Sequence, residues 1–459
     1  MIDPPFNINA RKAAILLVAG ILPSALGGCA HYAADPLPST LSGEGALRDP
    51  LSPATYPVTT DGALASERVI DLSQPLTAQA IASLAVIANP DLKAQRAKAG
   101  VSDAQVYAAG LMPDPTISLG IDHLLSGSDP VDGLAAALGL DLNALRTRGV
   151  ARRKAEAERR KVRTDLVWAE WQTAGQARLQ AVRIKALEER LRLAEQSSRS
   201  ADMLLAHYAA AAGRGDVAAD PLQTARIAAS DAGDVARQTE KDLATARLEL
   251  NYLLGLPPGT KLQIASSPPF DVPQDAGRLF TIAQARRADL RALREGYAAQ
   301  EAALHKAVLD QFPTLDLTIN AARDTGKNVT LGPAIGFTLP LWNRNRGGIA
   351  IEKATRAALK LEYEARLFQT RADIAAALSA LGIAHAQYAA QQASLSGAIR
   401  FAAASRRAAT RGDLSEATAQ ATEQVARDRS MQSGQAAQDI AEQTIALELL
   451  TGVPREQWK

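Results

Sequence analysis

The sequence predicts a mostly α-helical fold in which long helical rods carry short β-hairpins, built from two tandem copies of one unit. Three observations support this fold class. Residues 151–212 contain no proline and one glycine, and good helix formers dominate them. Two pairs of short stretches alternate apolar and polar residues with period two, which is typical of strands. Several short matches recur in the same order at a nearly constant offset, which indicates a tandem repeat.

The N-terminus has the features of a lipoprotein signal peptide over residues 1–28. Arg11 and Lys12 precede a short apolar run that Pro23 interrupts, too short for a spanning helix. Leu-Gly-Gly at 26–28 precedes Cys29 and resembles the bacterial lipobox, and Ala30 after it favours sorting to the outer membrane. Cys29 is the only cysteine, so an internal disulfide is excluded. We therefore expect Cys29 to be the lipid anchor; the alternative is a plain secretory signal.

The segment from 29 to 75 is predicted to be an extended tether, because Pro, Ser, Thr and Gly are frequent and apolar periodicity is weak. The net charge of +2 argues against nucleic acid as a partner. The sequence then divides into a first repeat at 76–257, a linker at 258–278, a second repeat at 279–455 and a tail at 456–459.

The repeat is supported by a series of short matching motifs that occur in the same order and are separated by nearly the same number of residues. Asp-Leu-Lys-Ala at 91–94 matches Asp-Leu-Arg-Ala at 289–292, and Arg-Gly-Asp-Val at 214–217 matches Arg-Gly-Asp-Leu at 411–414. Gly-Leu-Pro at 255–257 likewise matches Gly-Val-Pro at 452–454. Chance matches would scatter over many offsets, so we predict a duplication that covers nearly all of the chain beyond the tether.

Each repeat is expected to run helix, hairpin, long helix and returning helix. The hairpins are predicted at 115–143 and 314–341, and their strands carry one apolar face. The long helices are predicted at 151–212 and 349–411. In each repeat two shorter helices together match the length of the long one. These are 89–112 with 218–254 in the first repeat and 289–311 with 415–451 in the second. Each chain therefore offers four rods of equal length.

The hairpin strands have the length and one-sided apolarity of membrane β-strands, although soluble hairpins would show the same pattern. An open sheet edge is not viable in lipid, and four strands are too few to close a membrane barrel. If the strands enter a membrane, the chain must therefore oligomerise.

At this point the chain resembles the TolC family of bacterial outer-membrane efflux proteins over roughly residues 76–455. The motifs that support the resemblance are Asn-Pro-Asp-Leu at 89–92, Pro113 and Pro313 before the first strand of each hairpin, Leu-Pro-Leu at 339–341, and the two helix ends at 253–257 and 450–454. The resemblance implies a homotrimer with a twelve-stranded outer-membrane β-barrel above a long α-helical barrel. It also implies docking to a periplasmic adaptor (membrane fusion protein) and an inner-membrane RND-type pump.

Asn-Arg-Asn-Arg-Gly at 343–347 further resembles the heavy-metal (CzcC-type) branch of that family, whereas the first repeat lacks this stretch and Ala288 replaces a usual proline. The expected function is therefore an outer-membrane channel of a tripartite efflux system that conducts heavy-metal cations. Efflux of organic toxicants and a non-conducting, periplasm-spanning structural lipoprotein remain the alternatives.

No enzyme and no cofactor are predicted. The five histidines are too far apart in sequence to form a helical metal pair, and no phosphate-binding glycine loop is present.

The remaining candidate residues lie at the two ends of the rods. A basic run at 146–163, which includes Arg152 and Arg153, is either a solvated helix face or a girdle against anionic lipid headgroups. Trp342, Arg344 and Arg346 are expected at the membrane interface. The far turns carry acidic residues that would line a periplasmic aperture in a cyclic assembly, namely Asp216, Asp220, Asp413 and Glu416. For Asp216 and Asp413 the alternative is capping of the returning helices, so cation selectivity is expected from Asp220 and Glu416.

Overall fold

The computed structural model describes residues 32–37, 71–123, 125–126, 131–265 and 275–458. The chain divides into two units, Met1–Asp49 and Pro50–Lys459. In the first unit, residues 32–37 are exposed and have no regular secondary structure. The predicted signal peptide, Cys29 and most of the predicted tether lie outside the described residues.

The second unit contains eight α-helices and four β-strands within the described residues. In chain order they are α1 (Ala78–Ala88), α2 (Pro90–Gly110), β1 (Thr116–Asp122), β2 (Gly133–Asp141), α3 (Leu142–Gly213), α4 (Ala219–Leu253), α5 (Ala276–Arg286), α6 (Ala288–Leu309), β3 (Leu315–Arg323), β4 (Val329–Phe337), α7 (Arg346–Thr410) and α8 (Glu416–Thr451). A short 3₁₀ helix follows at Arg455–Gln457. The predicted fold class is confirmed, since helices dominate and two copies of one unit contribute four strands.

The long helix α3 begins earlier than the sequence predicts. The Asp141 side chain accepts a hydrogen bond from the Ala144 backbone N–H at 2.8 Å, so the helix starts directly where strand β2 ends. The 72 residues of α3 span roughly 108 Å at 1.5 Å per residue. The helix α7 of the second repeat has 65 residues.

The four strands form one antiparallel sheet in the order β1-β2-β3-β4. The central pair joins the two repeats: Leu138 of β2 lies opposite Ile319 of β3. The strands β1 and β4 are the two edges of the sheet, and each has one neighbouring strand in the chain.

The helix α3 is the centre of the helical part, because it packs against α2 and α4 of its own repeat and against α6 and α8 of the other. The short helices α1 and α5, which the sequence analysis did not identify, cover the rods midway along their length. Ile81 and Leu84 of α1 pack in a core with Ile184 of α3 and Leu250 of α4. Leu279 of α5 packs in a second core, with Leu381 of α7 and Leu447 of α8.

The two cores use equivalent residues. Ile81 corresponds to Leu279 at an offset of 198, and Ile184 corresponds to Leu381 at 197. Leu243 and Leu250 correspond likewise to Ile440 and Leu447 at 197. The repeat found in the sequence is therefore also a repeat of buried contacts.

Candidate channel wall and its two ends

The sheet has one apolar face that continues across all four strands. Ile117 lies opposite Leu138, Leu138 opposite Ile319, and Ile319 opposite Pro333, so one row of apolar side chains crosses the sheet. The exposed large side chains of this face are Ile117, Leu119, Ile121, Leu134, Leu138, Leu315, Ile319, Val329, Leu331, Ile335 and Phe337. So wide an exposed apolar surface is expected of a membrane or protein contact, not of a water-facing sheet.

The opposite face carries small and polar side chains. Thr116, Gly139 and Thr318 form one row across it, and Asp141 and Asp316 lie opposite each other at the end nearest the helices. An apolar face backed by a small, polar face is the pattern of a strand set with lipid on one side and water on the other.

The chain enters α7 through two residues with left-handed backbone conformations. Arg344 has φ 45° and Asn345 has φ 48°. The Asn345 side-chain amide donates to the Ala307 backbone oxygen of α6 at 2.8 Å. A Cβ at Gly348 would lie 2.4 Å from the Asn345 Oδ1 atom, so the absence of a side chain at Gly348 leaves room for the Asn345 amide. The Asn-Arg-Asn-Arg-Gly stretch thus turns the chain from the sheet into the helix.

The predicted interface residues lie around this turn. The Trp342 residue is 87% exposed, which suits an aromatic residue at a membrane surface. Arg344 donates from Nε to the Pro340 backbone oxygen at 3.4 Å, and Arg346 begins α7.

Much of the basic run of α3 binds other parts of the chain. Arg148 donates from Nε to the Gly110 backbone oxygen at 2.8 Å, and Arg146 donates to the Leu309 backbone oxygen at 3.2 Å. These oxygens lie at the C-termini of α2 and α6, where helix carbonyls lack partners within the helix. Neither alternative considered for the run, a solvated face or a lipid girdle, includes this role of closing helix ends.

Farther along the run the partners are acidic. Arg160 pairs with Glu295 of α6 at 2.7 Å and Arg163 with Asp103 of α2 at 2.9 Å. Arg152 pairs within its own helix with Glu156 at 2.9 Å, and Arg153 lies 3.5 Å from the Nδ1 atom of His305.

The short helices join end to end through a single side chain in each repeat. In the first repeat, the Asn89 side chain accepts from the Leu92 N–H of α2 at 2.9 Å and donates to the Leu253 oxygen of α4 at 3.1 Å. In the second, Arg287 donates to Asp289 at 2.8 Å and to the Leu450 oxygen of α8 at 3.4 Å. Arg287 also lies over the Trp168 ring of α3, 5.0 Å from its centroid.

A buried ion pair joins the repeats along α3 and α8. Arg178 donates to Glu448, and their side chains are 13% and 6% exposed. Burial lowers the pKa of Arg178 to about 10, so the guanidinium remains charged at neutral pH. The Arg455 backbone N–H donates to the same carboxylate at 3.2 Å. The sequence analysis missed this pair, because the partners are 270 residues apart and no local pattern connects them.

At the far turns, Asp216 and Asp413 do not cap the returning helices, so the capping alternative is wrong. Each aspartate accepts from the Arg two residues earlier, Arg214 at 2.8 Å and Arg411 at 2.9 Å. Between them lie Gly215 at φ 77° and Gly412 at φ 84°. The caps stand two residues farther along: the Ser415 hydroxyl accepts from the Thr418 N–H at 3.1 Å, whereas Ala218 provides no side-chain bond.

The other two acidic candidates lie in the first helical turns. Asp220 is exposed at the start of α4. Glu416, at the start of α8, accepts a hydrogen bond from Arg406 of α7. Arg406 also binds Glu423 at 2.6 Å, and this bond lowers the pKa of Glu423 below its ordinary value. The sequence analysis did not identify Arg406, whose partners lie across the turn.

Among the described residues, no group of three or more His, Cys, Asp or Glu side chains is arranged to hold a metal ion. None of the helices in these ranges is both long and apolar enough to cross a membrane.

The fold is shared with solved outer-membrane channels. Crystal structures of CusC, which address folding and transmembrane channel formation, match with a TM-score of 0.69 at 15% identity and cover 93% of this chain and 100% of that one. The CmeC outer membrane channel of Campylobacter jejuni matches at 0.68 with 15% identity, over 82% and 85%. The OprN outer-membrane channel matches at 0.66 with 16% identity, over 92% and 99%.

Sequence comparisons add nothing to this likeness. No family model matches the chain, and no curated protein matches it. At these identities the solved structures establish the fold.

Proposed function

We propose that this chain is the outer-membrane channel of a tripartite efflux system, working as a homotrimer with a periplasmic adaptor and an inner-membrane RND-type pump. The observation that carries the proposal is the continuous apolar face of the sheet, set on rods roughly 108 Å long. The sheet has two free edges and cannot close by itself, so lipid insertion requires other copies. Three copies would supply the twelve strands that the family resemblance implies.

Conductance tests the channel directly. Purified protein in a planar bilayer should give discrete conductance steps. A preparation that inserts without conducting would favour the alternative of a structural, periplasm-spanning lipoprotein. Native mass spectrometry in detergent should give three chains per particle, and a stable monomer or dimer would contradict the trimer.

Cys29 would anchor the chain in the outer membrane. The intact mass of the wild type should include the acyl chains that the lipobox resemblance implies, and Cys29→Ser should leave unlipidated protein. A wild-type mass without acyl chains would contradict the anchor.

Divalent heavy-metal cations are the solutes that we propose. The support is the sequence resemblance of residues 343–347 to the heavy-metal branch. The contacts of Asn345 give the same stretch a role in the chain turn, which makes it weaker evidence for a solute. Deleting the gene should sensitise cells to cobalt, zinc, cadmium or copper, whereas sensitivity to organic toxicants alone would reverse this choice.

The aperture would lie at the far turns, which carry Asp216, Asp220, Asp413 and Glu416. Asp220 is the strongest candidate to attract cations, since the other three accept hydrogen bonds from arginines. In a bilayer, Asp220→Ala with Glu416→Ala should reduce cation selectivity and block by multivalent cations. If the double variant keeps the ion preference of the wild type, the constriction lies elsewhere in the channel.

A further inference from the structure

The contact between the two repeats contains a small apolar cluster that has a counterpart on the outer edges of the chain. Trp171 and Gly175 of α3 line a narrow cavity with Ile445 and Leu449 of α8. The two helices approach closely here, because a Cβ on Gly175 would lie 2.4 Å from the Leu449 side chain.

The repeat offset of 197 identifies the equivalent residues. Trp171 corresponds to Phe368 and Gly175 to Ala372, both on α7. Ile445 and Leu449 correspond to Leu248 and Tyr252, both on α4. The core residues Ile184 and Leu381, and Leu250 and Leu447, obey the same offset in these helices, so the assignment does not depend on the cluster itself.

Within one chain these equivalents do not meet. The helix α7 packs on α5, α6 and α8, and α4 packs on α3. Phe368 is 78% exposed, Leu248 51% and Tyr252 55%. Three large apolar side chains are thus exposed at the positions whose counterparts form a packed contact.

We infer that Phe368 of one copy packs between Leu248 and Tyr252 of the next copy, and that Ala372 forms the close helix approach there. The occupant of this edge is a second copy of the chain, because the first repeat of that copy presents the complement that the second repeat lacks. The contact is head-to-tail, and such a contact generates a closed ring when the rotation between successive copies closes. It rests on the proposed function only in that the function requires copies to assemble.

The ion pair found at the contact inside the chain has no equivalent at the proposed contact between copies. The buried pair of Arg178 and Glu448 corresponds to Ala375 and Asn251. Asn251 donates within its own chain to the oxygens of Pro258 and Thr260 at 3.0 and 2.9 Å. At these two positions the contact between copies would bury no ion pair, which suits a contact made after each chain has folded.

The strands extend the same relation to the sheet. Inside the chain Leu140 of β2 lies opposite Leu317 of β3. The offsets of 197 for β2 and 198 for β3 place Phe337 of β4 opposite Leu119 of β1 in the next copy. Both side chains belong to the apolar face, so the register keeps that face continuous across the junction.

Disulfide trapping in the full-length, detergent-solubilised protein tests the inference. A chain with both Ala372→Cys and Tyr252→Cys should form covalent oligomers under mild oxidation, because a close helix approach brings the thiols within bonding reach. The control pair keeps Ala372→Cys and moves the second cysteine to Lys241→Cys, on the same side of α4 but about 16 Å away along the helix. That pair, and each single variant, should stay uncrosslinked; no oligomer from the first pair, or equal crosslinking of both pairs, would overturn the inference.

Phe368 provides a second, independent readout. Phe368→Asp should shift the particle toward monomer in native mass spectrometry, while Phe368→Trp should retain assembly, because Trp171 occupies the equivalent place. Assembly of Phe368→Asp at wild-type level would overturn the inference. If the wild type conducts but the variant with cysteines at 372 and 252 forms no covalent oligomer, this contact alone is refuted. If that variant is trapped but the wild type does not conduct, the channel alone is refuted.

Discussion

The two repeats build the same architecture with different side-chain chemistry. At the junction of the short helices, the first repeat uses the neutral Asn89 amide and the second uses the charged Arg287. At the far turn, Ala218 leaves α4 without a side-chain cap, while Ser415 caps α8. The ion pairs of Arg406 with Glu416 and Glu423 join α7 to α8 near the far turn of the second repeat. The equivalent positions of the first repeat are Ala209, Ala219 and Arg226. The backbone geometry of the repeat is thus a stronger constraint than the identity of the groups that hold it.

The largest effect should come from the ion pair that the second repeat shares with the first. Glu448→Gln or Arg178→Ala leaves a buried charge without its partner, which should cost about 3–5 kcal/mol of unfolding free energy. The measurement is the unfolding transition of the detergent-solubilised protein followed by circular dichroism. The double variant Arg178→Ala with Glu448→Ala should be less destabilised than the two single effects added together; strict additivity would mean that the charges do not interact.

The helix junctions should give the next effect. Asn89→Ala removes the cap of α2 and the bond to Leu253, and should cost about 1–2 kcal/mol. Arg287→Asn places the amide of the first repeat at the second junction and leaves Asp289 without its arginine. We expect Arg287→Asn to destabilise the protein, measured by the same unfolding transition. A neutral exchange would show that the junctions need only a hydrogen-bond donor.

The caps at the far turns should contribute about 1 kcal/mol. Ser415→Ala should destabilise the protein by that amount, and Ala218→Ser should stabilise it, because the serine would supply the first repeat with the bond that Ser415 makes in the second. Amide hydrogen exchange at the starts of α4 and α8 measures both changes locally. If Ala218→Ser leaves exchange at α4 unchanged, the serine has not formed the cap.

The smallest effect concerns pH. Arg406 depresses the pKa of Glu423, so this ion pair stabilises the packing of α7 on α8 above the ordinary glutamate pKa of 4.5. The stabilisation is lost as the pH falls through the depressed value. The difference in unfolding midpoint between wild type and Glu423→Gln should therefore be present at neutral pH and vanish in acid. Arg226→Gln, at the equivalent position of the first repeat, serves as the control and should lack this pH dependence of the difference.

The features predicted from the sequence are those that leave a local trace. Period two along residues 115–143 and 314–341 marks the hairpins, and the absence of proline from residues 151–212 marks the rod. The short helices α1 and α5 were not identified, because eleven residues give too few turns for a clear periodicity.

The capping role of Asp216 and Asp413 could not be decided from the sequence. Asp is a good cap, but the arginine two residues earlier competes for the carboxylate. The ion pair of Arg178 and Glu448 could not be predicted for a different reason. It depends on how α3 and α8 pack against each other, which the composition of the chain does not specify.

Joining the two repeats in one gene has a consequence for inheritance. A ring of identical single repeats would carry every substitution at every junction, so a change that harmed one contact would harm them all. In the proposed ring, the junction inside each chain and the junction between copies are encoded separately, and each substitution enters only one of them. The internal junction carries Arg178 and Glu448, while Ala375 and Asn251 stand at the equivalent positions of the proposed contact between copies. Duplication therefore allows one junction to become permanent while its counterpart keeps the composition that suits assembly.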